Sequence, residues 1–128
     1  MELTATYFNQ ATRLFSYQEF KKLMGSLFEQ GKVTGARQST SLLEATGMNL
    51  HRMKRIDKTG SLNEKVQQTL QTIKSRWTWY IITEGWCGDS SQNVPIIARI
   101  AESSPNIDLK LLLRDENPEL IDNYLTNG

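Results

Sequence analysis

The chain has 128 residues, of which 38% are hydrophobic and 23% are charged, with a formal net charge of +1. This length predicts one domain, with no apolar run near the ~20 residues that span a bilayer and no secretory signal at its start. A lone cysteine, Cys87, cannot form an intramolecular disulfide, so we expect a soluble protein of the reducing cytoplasm.

The near-neutral total conceals two halves of opposite charge. Residues 1–76 carry 12 Lys and Arg against 6 Asp and Glu, a net charge of +6. Residues 77–128 carry 3 against 8, a net charge of −5. The halves could attract each other across their contact, or they could present two different surfaces to partners.

The first half predicts helices. Three Ser-x-x-Glu capping boxes mark their starts: Ser16 with Glu19, Ser41 with Glu44, and Ser61 with Glu64. An apolar stripe from Phe20 to Phe28 predicts a helix that ends near Gly31. Residues 42–60 predict two short helices broken around Gly47, and a further helix follows up to about Lys74.

The second half changes to strand and helix in alternation. "WTWYIIT" (77–83) is rich in aromatic and β-branched residues and predicts a strand, followed by a helix over 87–103. "NIDLKLLLR" (106–114) alternates as a second strand, with Leu112 on its polar face. A last helix begins at Asn117-Pro118 and stops at Asn127-Gly128. This order predicts a βαβ unit with parallel strands and an α/β fold.

The basic cluster "HRMKR" (51–55) places Arg52 and Arg55 on one helix face. Its charge suggests nucleic acid or an acidic partner, whereas the alternative is a solvated helix face. We expect no nucleic-acid binding, because no aromatic residue lies within the cluster to stack on bases. His51 has no Cys or second His nearby, so no metal site is predicted. Asp115-Glu116 predicts a turn before the last helix rather than a catalytic pair of carboxylates.

The segment "EGWCGDSSQNVP" (84–95) carries a family resemblance. Trp86-Cys87-Gly88 after a strand, with Pro95 eight residues beyond the cysteine, resembles the active-site segment of thioredoxin-like proteins. "NLHRMKRIDKT" and "LLRDENPEL" are similar to segments of uncharacterised bacterial thioredoxin-family proteins with a helical N-terminal extension. The resemblance implies a helical extension over 1–76, packed on the N-terminal part of a thioredoxin-like fold over 77–128.

Three departures from that family stand out. Ser90 occupies the position of the second cysteine in Cys-x-x-Cys, and Ile81 the position of a buried carboxylate. The sequence also stops before the family's cis-proline loop and later strands. We therefore expect a core truncated at its C-terminus, whose open edge along residues 107–113 pairs with a second copy in a homodimer or lies against a neighbouring molecule.

The resemblance implies a monothiol redox protein. Cys87 would attack a protein or glutathione disulfide, because a helix N-terminus favours the thiolate. Ser90 could donate its hydroxyl to the sulfur, and Trp86 with Gly88 would form the substrate surface. The competing interpretations are an inert buried cysteine, a serine without a role and a packing tryptophan. The alternative function is a non-catalytic protein-interaction module; neither function implies a cofactor or a membrane.

Asp89 acts against the helix N-terminus. Its charge lies two residues from the sulfur, and a like charge disfavours a thiolate, although the carboxylate could simply cap the helix. We expect Asp89→Asn, which removes the charge and keeps the shape, to raise the rate of Cys87 alkylation by iodoacetamide at neutral pH up to roughly threefold. Equal rates in the two proteins would leave Asp89 as a capping residue only.

Overall fold

The computed structural model describes residues 13–122. The elements are, in chain order, α1 (Tyr17–Glu29), α2 (Thr40–Thr59), α3 (Glu64–Gln71), β1 (Trp77–Thr83), α4 (Gly88–Glu102), β2 (Ile107–Leu113), a 3-10 turn (Arg114–Glu116) and α5 (Pro118–Asp122). Asp115 and Glu116 thus lie in a turn before the last helix, as predicted. The predicted stop at Asn127-Gly128 lies outside the described residues. None of the helices within 13–122 is long and apolar enough to cross a membrane.

The sheet has two parallel strands. β1 and β2 pair in register from Trp77 opposite Ile107 to Thr83 opposite Leu113, and α4 forms the crossover, which confirms the predicted βαβ unit. Phe15 forms an antiparallel bridge to the far edge of β2, where its N–H and carbonyl bond Leu111 at 2.9 and 2.7 Å. Part of the edge expected to be open is therefore paired within the chain, and the homodimer stays a prediction.

Helices cover the sheet and form its main core. Buried side chains from α1, α2, α4 and β2 pack together: Tyr17, Phe20, Met24, Met53, Val94, Ala98, Leu111 and Leu113. A smaller cluster joins Leu70 of α3 to α4 and β2. Each fully buried large apolar side chain stabilises the fold by about 1.5–3 kcal/mol. The N-terminal helices therefore pack on the βαβ core, and this contact holds α4 in position.

Leu112 corrects the expected polarity of β2. The alternation placed it on a polar face, yet its side chain is fully buried (0% exposed). Parallel strands usually lie inside a fold with both faces covered, so their sequences depart from strict alternation. The leucine run at 111–113 reflects that two-sided burial.

The stretch predicted as two short helices is one helix of 20 residues, α2. A glycine inside a helix costs only ~1 kcal/mol relative to alanine, which tertiary packing can offset. A Cβ at Gly47 would lie 2.9 Å from ring atoms of Phe28. The missing side chain therefore lets the end of α1 approach α2, and Gly47 serves packing rather than a break.

Of the three predicted capping boxes, only the first forms within the described residues. At α1, the Oγ of Ser16 accepts from Glu19 N–H, and the Glu19 carboxylate accepts from Ser16 N–H. The caps of α2 and α3 are instead Ser39 and Asn63, which accept from the N–H of the third residue onward. The predicted boxes were wrong because other good cap residues lay nearby, two residues from each predicted start.

A polar contact joins α1 to α2. The buried Tyr17 donates its hydroxyl proton to Asp57 Oδ1 at 2.9 Å, and Lys21 Nζ lies 2.7 Å from Oδ2 of the same carboxylate. We expect Tyr17→Phe to lower the free energy of unfolding by about 1.5–3 kcal/mol, because it removes a hydrogen bond to a charged group and keeps the ring. Lys21→Met should cost less than about 1 kcal/mol, since this ion pair is partly exposed. Urea denaturation compares the two, and equal losses would contradict this assignment.

Candidate functional site

Cys87 lies where the chain leaves β1 and enters α4. Its N–H donates to the carbonyl of Glu84 at 3.1 Å, and its own carbonyl accepts from Ser91 N–H at 3.2 Å. The cysteine is therefore the N-cap residue of α4, with a half-buried side chain. Within residues 13–122, no group forms a hydrogen bond to its sulfur. The thiol thus lies at the positive end of the helix dipole, as the sequence predicted.

The neighbours that the sequence singled out are divided between surface and interior. Gly88 and Asp89 are exposed in the first turn of α4. Ser90 is half-buried, and its hydroxyl shares a hydrogen bond with the hydroxyl of Thr83 at the end of β1. Ser90 therefore ties α4 to the sheet, and its expected bond to the sulfur anion stays a prediction.

A loop from the first half holds Trp86 in place. The indole Nε1 donates to the carbonyl of Thr34 at 3.2 Å, and the N–H of Gly85 donates to the Thr34 hydroxyl at 2.8 Å. Gly35 has φ +92, and a Cβ there would lie 2.6 Å from Asp115 Oδ2 and 3.2 Å from the indole nitrogen. The loop therefore needs glycine at this position, both for its backbone conformation and for the close approach.

The buried amide of Asn49 connects α2 to the cysteine loop. Asn49 is 1% exposed; its Nδ2 donates to the carbonyl of Gly85 at 3.0 Å, and its Oδ1 accepts from Arg52 Nη1 at 3.3 Å. A Cβ at Gly88 would lie 4.0 Å from that same Nη1. Arg52 is half-buried, whereas Arg55 on the same helix face is exposed.

Glu84 is a buried acid three residues before the cysteine. Its side chain is 2% exposed; Oε1 accepts from the N–H of Asp115 at 3.0 Å, while Oε2 has no hydrogen-bond partner among the described residues. Burial raises the pKa of Glu84, and the Thr34 hydroxyl and the Asp115 N–H partly offset this effect. A buried carboxyl group with a raised pKa therefore lies near the thiol, although the sequence position expected for one holds Ile81.

The interior side of Cys87 is closed. Met24, Met53 and Val94 help to line a gap beneath it that is too narrow to hold a water molecule. A reaction partner must therefore approach the thiol from the protein surface. No group of three or more His, Cys, Asp or Glu within residues 13–122 is arranged to hold a metal ion.

Sequence reasoning missed Glu84, Asn49 and the role of Thr34. A signal existed for Asn49, which lies on the apolar face of α2 with Thr46 and Met53, at spacings of three and four residues. For Glu84 and Thr34 there was none, because a polar residue beside a glycine is typical of an exposed loop.

Comparisons with known proteins identify a family to which this chain is similar. A family model described as thioredoxin matches residues 35–128. A solved protein of unknown function from Pseudomonas aeruginosa is 17% identical, with a TM-score of 0.49, over 86% of this chain and 61% of its own. An HIV epitope-scaffold protein is 18% identical, with a TM-score of 0.48, over 86% and 62%. The chain thus spans less than two thirds of either solved chain. No curated protein matches it.

The buried carboxyl of Glu84 makes a prediction about stability and pH. A raised pKa in the folded state means that the native protein holds this proton more tightly than the unfolded chain, so stability falls as the pH rises from about 4.5 through the folded pKa. Glu84→Gln stays neutral throughout. Its free energy of unfolding, relative to the unchanged protein, should therefore increase with pH across that window.

Urea denaturation at a series of pH values from acid to mildly alkaline measures this difference. Glu44→Gln, on the exposed side of α2, is the matched surface control. A difference between Glu84→Gln and the unchanged protein that stays constant with pH would contradict the assignment.

Proposed function

Because the chain belongs to the thioredoxin family, we propose that it is a monothiol redox protein that exchanges disulfides through the sulfur of Cys87. The observation that carries the proposal is the position of this cysteine. Cys87 is the N-cap residue of α4, and its side chain is half-buried. No described group is hydrogen-bonded to the sulfur. Unpaired N–H groups of the first turn favour the thiolate, which is the nucleophile in disulfide exchange.

The proposed reaction is a single exchange. The Cys87 thiolate attacks one sulfur of a disulfide, a new S–S bond forms to that sulfur, and the original S–S bond breaks. The second half of the substrate leaves as a thiolate and takes a proton from solvent. No cofactor takes part, because the disulfide itself is the oxidant.

The product is a mixed disulfide that the protein cannot resolve by itself. Ser90 stands in the position of the resolving cysteine, and its hydroxyl is bonded to Thr83. An outside thiol must therefore release the substrate. Protein disulfides and glutathione are the proposed partners, and a reducing compartment such as the cytoplasm would supply that thiol.

The alternative function is a thioredoxin-like module that binds a partner without turnover. The hydrogen-bonded indole of Trp86 and the exposed first turn at Gly88 and Asp89 favour it, since these residues flank Cys87 in the sequence and are at least partly open to solvent. The two functions differ in one measurable quantity. Only the redox protein consumes glutathione when it is supplied with a disulfide substrate.

We expect native protein incubated with oxidised glutathione to form a stable one-to-one adduct on Cys87, because no second thiol can displace the glutathione. Intact-mass spectrometry, followed by peptide mapping, measures the adduct. Added reduced dithiol should remove it. Cys87→Ser is the control that forms none.

Ser90→Cys tests the reason for the stability of the adduct. It restores the Cys-x-x-Cys spacing, so the second thiol should displace glutathione and leave an internal disulfide. If native protein forms no adduct while urea-unfolded protein does, the thiol is inaccessible in the fold and the redox proposal fails, which leaves the binding module.

A further inference from the structure

The guanidinium of Arg52 is brought to the cysteine by the helical half of the chain. A Cβ at Gly88 would lie 4.0 Å from Arg52 Nη1, so the cation lies over the residue that follows Cys87. A hydrogen bond restrains the guanidinium, because Nη1 donates to Oδ1 of the buried Asn49. The amide nitrogen of Asn49 in turn donates to the carbonyl of Gly85. A side chain anchored in this way keeps its place without a ligand.

The charge of Arg52 has no carboxylate partner in the described part of the chain. Its hydrogen bond to Asn49 joins it to a neutral side chain, and none of the ion pairs among residues 13–122 includes it. Arg13, by contrast, is paired through two nitrogens with the carboxylate of Glu116. A guanidinium has five N–H donors in a planar fork that fits a carboxylate, and only one of those of Arg52 is used by a described side chain.

Neither of the two acids closest to Cys87 in the sequence, Glu84 and Asp89, forms an ion pair with Arg52 among residues 13–122. Glu84 is buried, and burial raises the pKa of its carboxyl group. Asp89 is exposed in the first turn of α4, where solvent screens its charge. Arg52 is half-buried and therefore screened less than Asp89. The approach to the sulfur is consequently a place where a negative group is favoured.

We propose that Arg52 is a substrate-binding residue that selects small disulfides carrying a carboxylate close to the reacting sulfur, the chemical class to which oxidised glutathione belongs. The inference rests on the proposed reaction at Cys87 and adds its substrate preference. The carboxylate docks on the free N–H groups of Arg52 while the thiolate attacks the neighbouring sulfur. The S–S exchange itself is unchanged, and Arg52 takes no part in the proton or electron balance.

The test compares two alkylating agents of nearly equal size, neutral iodoacetamide and anionic iodoacetate. Both form the same kind of S–C bond with the Cys87 thiolate and release iodide, so their rate ratio reports attraction of the anion. We expect Arg52→Gln to lower the iodoacetate-to-iodoacetamide ratio about two- to fivefold at low salt, the range for a partly exposed charge pair. Arg52→Lys should retain most of the ratio because it keeps the charge.

Arg55→Gln is the matched control, since it removes the same charge from α2 at an exposed position about one turn further on. Thermal unfolding confirms that each variant is folded. The inference is overturned if Arg52→Gln changes both rates equally, or if Arg55→Gln lowers the ratio as much as Arg52→Gln does. A native Cys87 that neither reagent alkylates would instead overturn the proposed function, so the two failures are distinguishable.

The same variants then react with two disulfides, oxidised glutathione and the cationic cystamine. The rate of mixed-disulfide formation with oxidised glutathione, divided by the rate with cystamine, should fall in Arg52→Gln. The same ratio should remain unchanged in Arg55→Gln. Arg52→Gln could lose the preference for iodoacetate over iodoacetamide and still keep the preference for oxidised glutathione over cystamine. That result would show that Arg52 attracts anions without binding this substrate class, and would overturn the proposal.

Discussion

The fold of the cysteine loop depends on one buried amide. Asn49 is 1% exposed, and its bond to the carbonyl of Gly85 joins α2 to the loop across 36 positions of sequence. A buried carbonyl without a partner costs about 1–3 kcal/mol, so the loop requires a donor at this place. The Thr34 hydroxyl satisfies the N–H of the same glycine from another segment. Both polar groups of Gly85 are thus satisfied by side chains of the first half, which fix the conformation that presents Cys87.

The opposite charges of the two halves contribute less to their contact than their totals suggest. Among the described residues, the ion pair of Arg13 with Glu116 joins the halves, whereas those of Lys21 and Lys110 lie within one half each. The halves meet chiefly through the apolar core that α1, α2 and α4 share with β2. The surplus of cations in the first half therefore remains largely at the surface, which favours the second interpretation of the asymmetry, two different surfaces.

Local sequence patterns were sufficient to predict the bounds of β1 and, within one residue, those of α4. Residues 77–83 were predicted as a strand and form β1 with those bounds, and the predicted helix 87–103 differs from α4 by one residue at each end. The predicted helix break at Gly47 and the predicted polar face at Leu112 were wrong, because tertiary packing decides the structure at both positions. Gly47 accommodates the Phe28 ring, and Leu112 lies at the end of β2, where residues on both faces of the strand are buried.

The residues of the candidate site also divide into those that local sequence predicts and those that it does not. The position of Cys87 at a helix start follows from the residues beside it, so the sequence predicted it. One oxygen of Glu84 accepts from Asp115, 31 residues later, and Asn49 donates to Gly85, so no pattern within either neighbourhood could indicate these contacts. Arg52 was assigned to a solvated cluster because it stands among other basic residues. Its placement depends on Asn49, one helical turn before it, being buried.

If Cys87 exchanges disulfides as proposed, selectivity depends on the groups that lie beside the sulfur. A dithiol protein can release a poor substrate by forming its own disulfide, whereas the proposed exchange at Cys87 has no such step, because Ser90 carries a hydroxyl in place of a thiol. Each wrong partner would then occupy the site until an outside thiol arrives. Discrimination must therefore come before the exchange, from groups that favour or disfavour the encounter. Two groups at the cysteine loop depend on the helical half: the Trp86 indole is held by the carbonyl of Thr34, and the guanidinium of Arg52 belongs to α2. On this argument the N-terminal helices are part of the reactive site rather than an attachment to it.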